Sequence, residues 1–536
     1  MSNCSFLDLS FDVVQLVLQY LQVLRNDSEG MASDVIIVSL LSKQLRGFCL
    51  PFMFWNVSWP RKSHEVEFFP EALWPHIKRL VYFRHGEHTY GPLLSASQRY
   101  SNRALDTLTR ILPKLPNLVT FVYGPQRISP SPTFITTLAE NSTSLIHLEL
   151  SSSFLTHKAG PPSLFTTFSR IRHLVITPPE QSTLYNAPEE IQSLSLERVS
   201  NIIIACRLSL EEMDVPGEYC PLSTLTSQAE SSTAGFPALK KLVLRGYPPL
   251  NAKQFPIWKV LSSMPRLSTL EISCKLRVIG ASPQRYMLMP ADAMPPLGST
   301  YLFPSELESM TISNPSLTDN IFKRLPHSLR SLVLDFIPDW ENILSSGDML
   351  AYHRPSEIAK TFCAVEYGLK NSPFVNMQRL CIKMGWCITP DLLGLICRLF
   401  PHLQVLIFEG IRYVNRGEEP ESDMEALVET LGQLAYLDTL KLAVELSEDP
   451  YRADEVKRKI GSLDESMQKW SNRLARKIPT LQRVAFETRP HTGRGLGPRA
   501  LVGKPVWVWF VLDHKVEASA DEDSGSNLMK RIKELY

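Results

Sequence analysis

The residues of this chain that could do chemistry are few, and their neighbours support them poorly. Arg84-His85-Gly86-Glu87 follows the apolar run Leu80–Phe83, so a strand would present a histidine beside an arginine. That arrangement suits nucleophilic attack on a phosphoryl group, but such chemistry needs a second histidine and further arginines around the phosphate. Pro490-His491-Thr492-Gly493 is the nearest match for that second element, and it follows a strand-like run only loosely. His85 and His88 could chelate a metal on a turn, yet no other ligand spacing joins them. Gly497 and Gly503-Lys504 approximate a phosphate-cradling loop, with five intervening residues instead of four and Pro505 where a metal-binding hydroxyl belongs. The nine cysteines are odd in number and contain no Cys-x-x-Cys pair, which argues against a zinc module or a disulfide framework. The expectation is a chain without catalytic residues, metal or cofactor.

Composition narrows the partners. Lys and Arg number 56 and Asp and Glu 55, for a net charge of +1, so nothing global grips nucleic acid or an anionic membrane. Hydrophobic residues make up 44% and charged residues 21% of the 536, which suits a folded chain with a large core. No apolar run approaches the length of a membrane span, and the N-terminus, with Asp8 and Asp12, lacks the basic region of a secretory signal. Reduced cysteines and no signal point to the cytoplasm, the nucleus or both. The 40 prolines against 24 glycines must punctuate ordered structure many times.

The element that does this positioning repeats itself. Apolar-x-x-apolar-x-apolar recurs at Leu145-Leu148-Leu150, Ile171-Leu174-Ile176, Ile191-Leu194-Leu196, Leu210-Met213-Val215, Leu239-Leu242-Leu244 and Leu267-Leu270-Ile272. It continues at Leu307-Met310-Ile312, Leu329-Leu332-Leu334, Met377-Leu380-Ile382, Leu403-Leu406-Phe408, Leu437-Leu440-Leu442 and Leu481-Val484-Phe486, with weaker copies at Ile77-Leu80-Tyr82 and Leu118-Phe121-Tyr123. Several copies follow an apolar-Pro pair, such as Leu115-Pro116, Met264-Pro265, Phe400-Pro401 and Ile478-Pro479. A helix often comes first, as in Asp391–Leu399; proline stops it; a strand with one buried face follows.

These units resemble leucine-rich repeats with insertions at Lys275–Phe303 and Asp335–Phe374. The asparagine expected after each strand is missing, and Asn314 stands one position off. The expected fold is α/β: a leucine-rich-repeat-like solenoid, a curved parallel sheet with helices outside, over residues 70–512. Val506–Leu512 would close it, and residues 513–536 read as a mostly disordered acidic tail.

The first sixty residues differ. Val13, Val17, Tyr20, Leu21 and Leu24 fall at helical spacing after Ser10, and Ser33-Asp34 can cap a second helix that Pro51 ends. Leu9-Ser10-Phe11-Asp12-Val13-Val14, then Leu16–Leu21, then Leu40-Leu41-Ser42-Lys43-Gln44-Leu45-Arg46 resemble an F-box, with an exit at Leu50–Phe54 and Asn56–Ser58 similar to many fungal members. The resemblance makes residues 5–58 a small all-helical F-box domain. Ser10 stands where the family has proline, Leu45 where it has a larger aromatic, and Arg25–Ser33 is longer than the usual connection. An F-box followed by degenerate leucine-rich repeats implies a substrate-recognition subunit of an SCF-type cullin–RING ubiquitin ligase, not an enzyme. The adaptor subunit would meet Leu9, Val14, Val17, Leu21, Leu41, Lys43 and Leu45.

A protein substrate, unnamed by the sequence, would meet residues beside the apolar positions of the strands. The expected set is Lys241, Arg245, Glu271, Asp335, Arg379, Lys383, Glu409 and Lys441. Two other functions are weighed beside this: a leucine-rich-repeat binding scaffold without a ligase role, and a histidine-phosphatase-like hydrolase built on His85.

Overall fold

The computed structural model describes residues 33–41, 43–60, 67–82, 94–124, 130–155, 160–177, 187–231, 235–250, 255–279, 282–290, 303–316, 318–337, 355–368, 373–384, 388–410, 424–443, 456–488, 506–512 and 529–533, with Val13, Leu16 and Leu184. Two compact units divide it, Met1–Leu239 and Lys240–Tyr536.

The first unit begins with a helical hairpin, α1 (Ser33–Leu41) and α2 (Lys43–Met53). Its own core is small: Cys49 is buried among Val38, Phe48, Phe52 and Met53. Six parallel strands follow: β1 (Asn56–Trp59), β2 (Arg79–Tyr82), β3 (Thr120–Tyr123), β4 (His147–Ser151), β5 (His173–Thr177) and β6 (Glu212–Pro216). Helices α3 (Leu94–Ile111), α4 (Pro132–Asn141), α5 (Glu189–Cys206) and α6 (Leu222–Ser231) occupy connections after β2, β3, β5 and β6. Aromatic side chains fill the interior, with Tyr82 stacked on Tyr123 at 5.3 Å and Tyr123 edge-on to Phe154 at 5.1 Å. Arg198 of α5 is buried; it donates to the carbonyls of Leu155 and Gly160 and lies over the Phe165 ring, docking its helix on the loop after β4.

The second unit carries β7 (Lys241–Gly246), β8 (Thr269–Cys274), a β9–β10 hairpin (Arg277–Ile279, Ser282–Gln284), β11 (Ser309–Ser313), β12 (Ser331–Asp335), β13 (Arg379–Met384), β14 (Val405–Gly410), β15 (Thr439–Leu442) and β16 (Arg483–Thr488). Apart from the hairpin, these pair in chain order and in parallel. Helices α7 (Trp258–Leu261), α8 (Pro355–Gly368), α9 (Pro390–Leu399), α10 (Met424–Leu431) and α11 (Val456–Lys477) follow β7, β12, β13, β14 and β15. Strands β17 (Val506–Leu512) and β18 (Met529–Lys533) close the sheet in antiparallel pairing. Strand, connection and parallel strand, repeated with little else, is the arrangement of a solenoid.

The proline grammar has a physical basis in the approach to each strand. Leu118 N–H donates to Leu115 O, Leu267 to Met264 O, Leu403 to Phe400 O and Leu481 to Ile478 O. Each bond closes a four-residue turn whose second residue is Pro116, Pro265, Pro401 or Pro479, the position that a fixed proline φ suits. The turn drops the following leucine into the core.

Every predicted copy but one lands on a strand in this phase. The exception is Ile191-Leu194-Leu196, which lies inside α5. Val199, Ile202, Ile203 and Cys206 continue it at helical spacing, with Glu189 and Glu190 in its first turn, so one apolar face forms a helix instead. Two strands also start in segments expected to hold none. β1 lies inside the segment expected to be wholly helical, because Phe54-Val57-Trp59 has the repeat spacing and Val57 and Trp59 are buried. β18 lies in the segment expected to be a disordered tail; it satisfies the free edge that the apolar β17 would otherwise expose.

Asn314 takes the role of the missing asparagine. It is buried with φ at 48° in the left-handed region, which asparagine tolerates better than most residues. Its Nδ2 donates to Cys274 O at 2.8 Å and Ile337 O at 3.0 Å, and its Oδ1 accepts from Ile337 N–H at 3.2 Å. One side chain thus ties the exits of β8, β11 and β12. Two buried carboxylates fix inserted loops in the same manner. Glu218 accepts from Leu184 N–H at 2.8 Å in the first unit. Asp319 accepts from Leu288 N–H at 2.6 Å, Met289 N–H at 2.9 Å and Ile321 N–H at 3.1 Å in the second.

Candidate functional site

Two surfaces hold the residues that the sequence singles out. The first is α1. Ile37, Leu40 and Leu41 are 57%, 68% and 70% exposed, and their spacing puts them on one face of the helix. Val13 and Leu16 are also exposed, at 41% and 64%. Lys43, the first residue of α2, is exposed. Leu45 is 4% exposed, so it supports the hairpin from within and offers no surface. Leu9, Val14, Val17 and Leu21 lie outside the described residues. Ile37 and Leu40 belong with Leu41 by exposure and stand outside the expected contact set; their helical phase relative to Leu41 is the signal that finds them.

The second surface is the face of the second unit's sheet opposite its core. Leu242, Leu270, Met310, Leu332 and Leu380 are at most 1% exposed on the core side, so the residues flanking them point the other way. All eight expected substrate residues lie on this face. The structure draws some into pairs. Arg245 Nε is 3.8 Å from Glu271 Oε1, which also accepts from Ser273 Oγ at 3.0 Å. Lys383 Nζ bridges Asp335 at 3.1 Å and Glu409 at 3.7 Å across three neighbouring strands. Burial pulls the Lys383 ammonium down, but the two carboxylates together outweigh it and hold its pKa above the usual lysine value. Lys441 sits over the Trp509 ring at 4.6 Å, a contact supplied by the closing strand. Lys241 and Arg379 join neither group. Cys381 and Ile407 lie between the charged rows and are buried, and burial pushes the Cys381 thiol up to about 12, where it is inert.

The corresponding face of the first unit is different in kind. His147 and His173 stack at 5.6 Å, and His173 Nδ1 is 3.5 Å from Glu212 Oε2. Burial holds the His147 imidazole below its ordinary range, with His173 and Arg79 adding to the effect and Glu212 opposing it. Burial also raises the Glu149 carboxyl against the pull of Arg79. Among the described residues no group of three or more His, Cys, Asp or Glu is placed to hold a metal, and no helix is long and apolar enough to cross a membrane. Arg84–Glu87, His88, His491 and the Gly497–Lys504 loop lie outside the described residues.

No family model matches the chain, and no curated protein matches it. Among solved structures it is similar to the crystal structure of the Rad7 and Elc1 complex in yeast, at 13% identity over 76% of this chain and 91% of that one, with a TM-score of 0.29. A likeness of that size carries no argument about this chain, whose reading rests on its own residues.

Proposed function

We propose that the chain is a substrate-recognition subunit of an SCF-type cullin–RING ubiquitin ligase, with α1 and α2 belonging to an F-box that docks the adaptor subunit and the repeat sheet holding a protein substrate. The observation that carries this reading is the apolar face of α1: three large aliphatic side chains stay more than half exposed while the repeats bury nearly all of theirs. Burying them on a partner would contribute roughly 1.5–3 kcal/mol per side chain before the costs of association. The F-box resemblance at Leu40–Arg46 names the partner as the adaptor.

In this role the chain performs no chemistry of its own. It raises the concentration of a substrate lysine near the ubiquitin-charged enzyme, and the acceleration comes from proximity. Capture of the purified adaptor by the full chain tests it. Wild type should capture at micromolar concentrations, and Ile37→Asp with Leu41→Asp should not, with the circular dichroism spectrum unchanged. If wild type fails, the ligase role falls and a repeat scaffold for protein binding remains.

A further inference from the structure

On the second unit's sheet face one register carries no acid. Lys241 pairs with Thr269, Thr269 with Ser309, Ser309 with Ser331 and Ser331 with Arg379, strand to strand through β7, β8, β11, β12 and β13. The side chains stand on the side opposite Leu242, Leu270, Met310, Leu332 and Leu380. Lys241, Thr269, Ser309 and Ser331 are half-buried and Arg379 is exposed. Among the described residues neither cation of this row has a carboxylate partner and none of its three hydroxyls has a hydrogen-bond partner. The charges two to four residues further along the strands are already engaged: Arg245 with Glu271, and Lys383 with Asp335 and Glu409. The row is therefore where this face keeps uncommitted positive charge and hydrogen-bonding capacity.

From this we infer that the Lys241–Thr269–Ser309–Ser331–Arg379 row binds an extended acidic peptide segment of the protein substrate, laid across the strands; the inference deepens the substrate-receptor reading and rests on it for the identity of the bound protein. Four interstrand steps of about 4.8 Å separate the two cations by about 19 Å. An extended peptide advances about 3.3 Å per residue, so it spans that gap in about six residues. An even separation puts two carboxylates on the same side of an extended chain. One would meet Lys241 and the other Arg379, while the hydroxyls between them donate to or accept from the intervening peptide groups. A nucleic-acid strand fits less well. Its charges are far denser than two cations about 19 Å apart could match.

Selection of a phage-displayed random dodecapeptide library on the immobilised full chain tests this, beside capture of the adaptor by the same preparation. Wild type should enrich peptides with two Asp or Glu about six residues apart. A synthetic copy of the commonest peptide should bind about tenfold more weakly to Lys241→Glu with Arg379→Glu. Ser309→Val with Ser331→Val should weaken it about threefold. A fluorescein-labelled oligothymidylate should neither bind saturably nor displace the peptide. An enriched pool without acids, equal binding by the double charge reversal, or displacement by the oligothymidylate would overturn the inference. Adaptor capture without acidic selection removes the row and leaves the ligase reading; acidic selection without adaptor capture does the reverse.

Discussion

The α1–α2 hairpin and the repeat ladder use the same residue types to opposite ends. In the ladder Leu270, Met310, Leu332 and Leu380 are fully buried, and in α1 Leu40 and Leu41 are 68% and 70% exposed. The difference lies in what each element can recruit. A strand in a parallel stack has neighbours on both sides and a helix or loop beneath, so each leucine that its turn drops inward is covered. Two short helices around Cys49 can cover one face only. On the proposed reading, the apolar residues left for a partner are those that the described hairpin does not cover.

This contrast can be broken by moving damage from one region to the other. Ile37→Asp with Leu41→Asp should lower adaptor affinity at least about a hundredfold and leave the unfolding midpoint in urea unchanged. Leu332→Ala should do the opposite, costing about 2–5 kcal/mol of stability in urea titration while adaptor capture persists. Equal loss of stability from both would mean that α1 is covered within the chain.

Smaller effects sharpen the account of the ladder. Asn314→Ala removes three hydrogen bonds, one buried and two part-buried, and leaves alanine in the left-handed region, so it should cost about 2–3 kcal/mol in urea titration. Asn314→Gly should recover the backbone part alone. The smallest effect is pH-dependent. The His147 imidazole is held below its ordinary range in the folded chain, so the unfolded chain takes up that proton first as pH falls. Stability therefore rises with pH through this window and is lost below the unfolded value of 6.5. His147→Gln should flatten the fall in the urea midpoint between about pH 7 and 5. An unchanged slope would show that His147 is not what is being protonated.

The repeat spacing makes the strands legible, because three apolar positions with polar flanks, entered through a turn with proline, fit a strand buried on one face and little else. It fails where the same spacing continues into Val199, Ile202 and Ile203, which only a helix can gather on one side. It also passes over β1, whose Phe54, Val57 and Trp59 follow so closely on the hairpin that they read as its end. Asn314 is legible as a residue but not as a function, since its partners Cys274 and Ile337 come from two other repeats. Asp319 and Glu218 carry no signal at all; their partners are backbone N–H groups about thirty residues upstream, and every residue but proline has one. On the sheet face the charged residues draw attention, whereas Thr269, Ser309 and Ser331 gain meaning only when strand register aligns them between Lys241 and Arg379.

Amide hydrogen exchange on the full chain, with and without saturating adaptor, tests the central claim most directly. New protection confined to peptides covering Ser33–Met53 and the residues before them, with the strands from Lys241 to Glu487 unchanged, is the result expected of a hairpin that binds while the ladder stays free. Protection of the ladder strands with none in α1, or no protection anywhere at saturation, would contradict it.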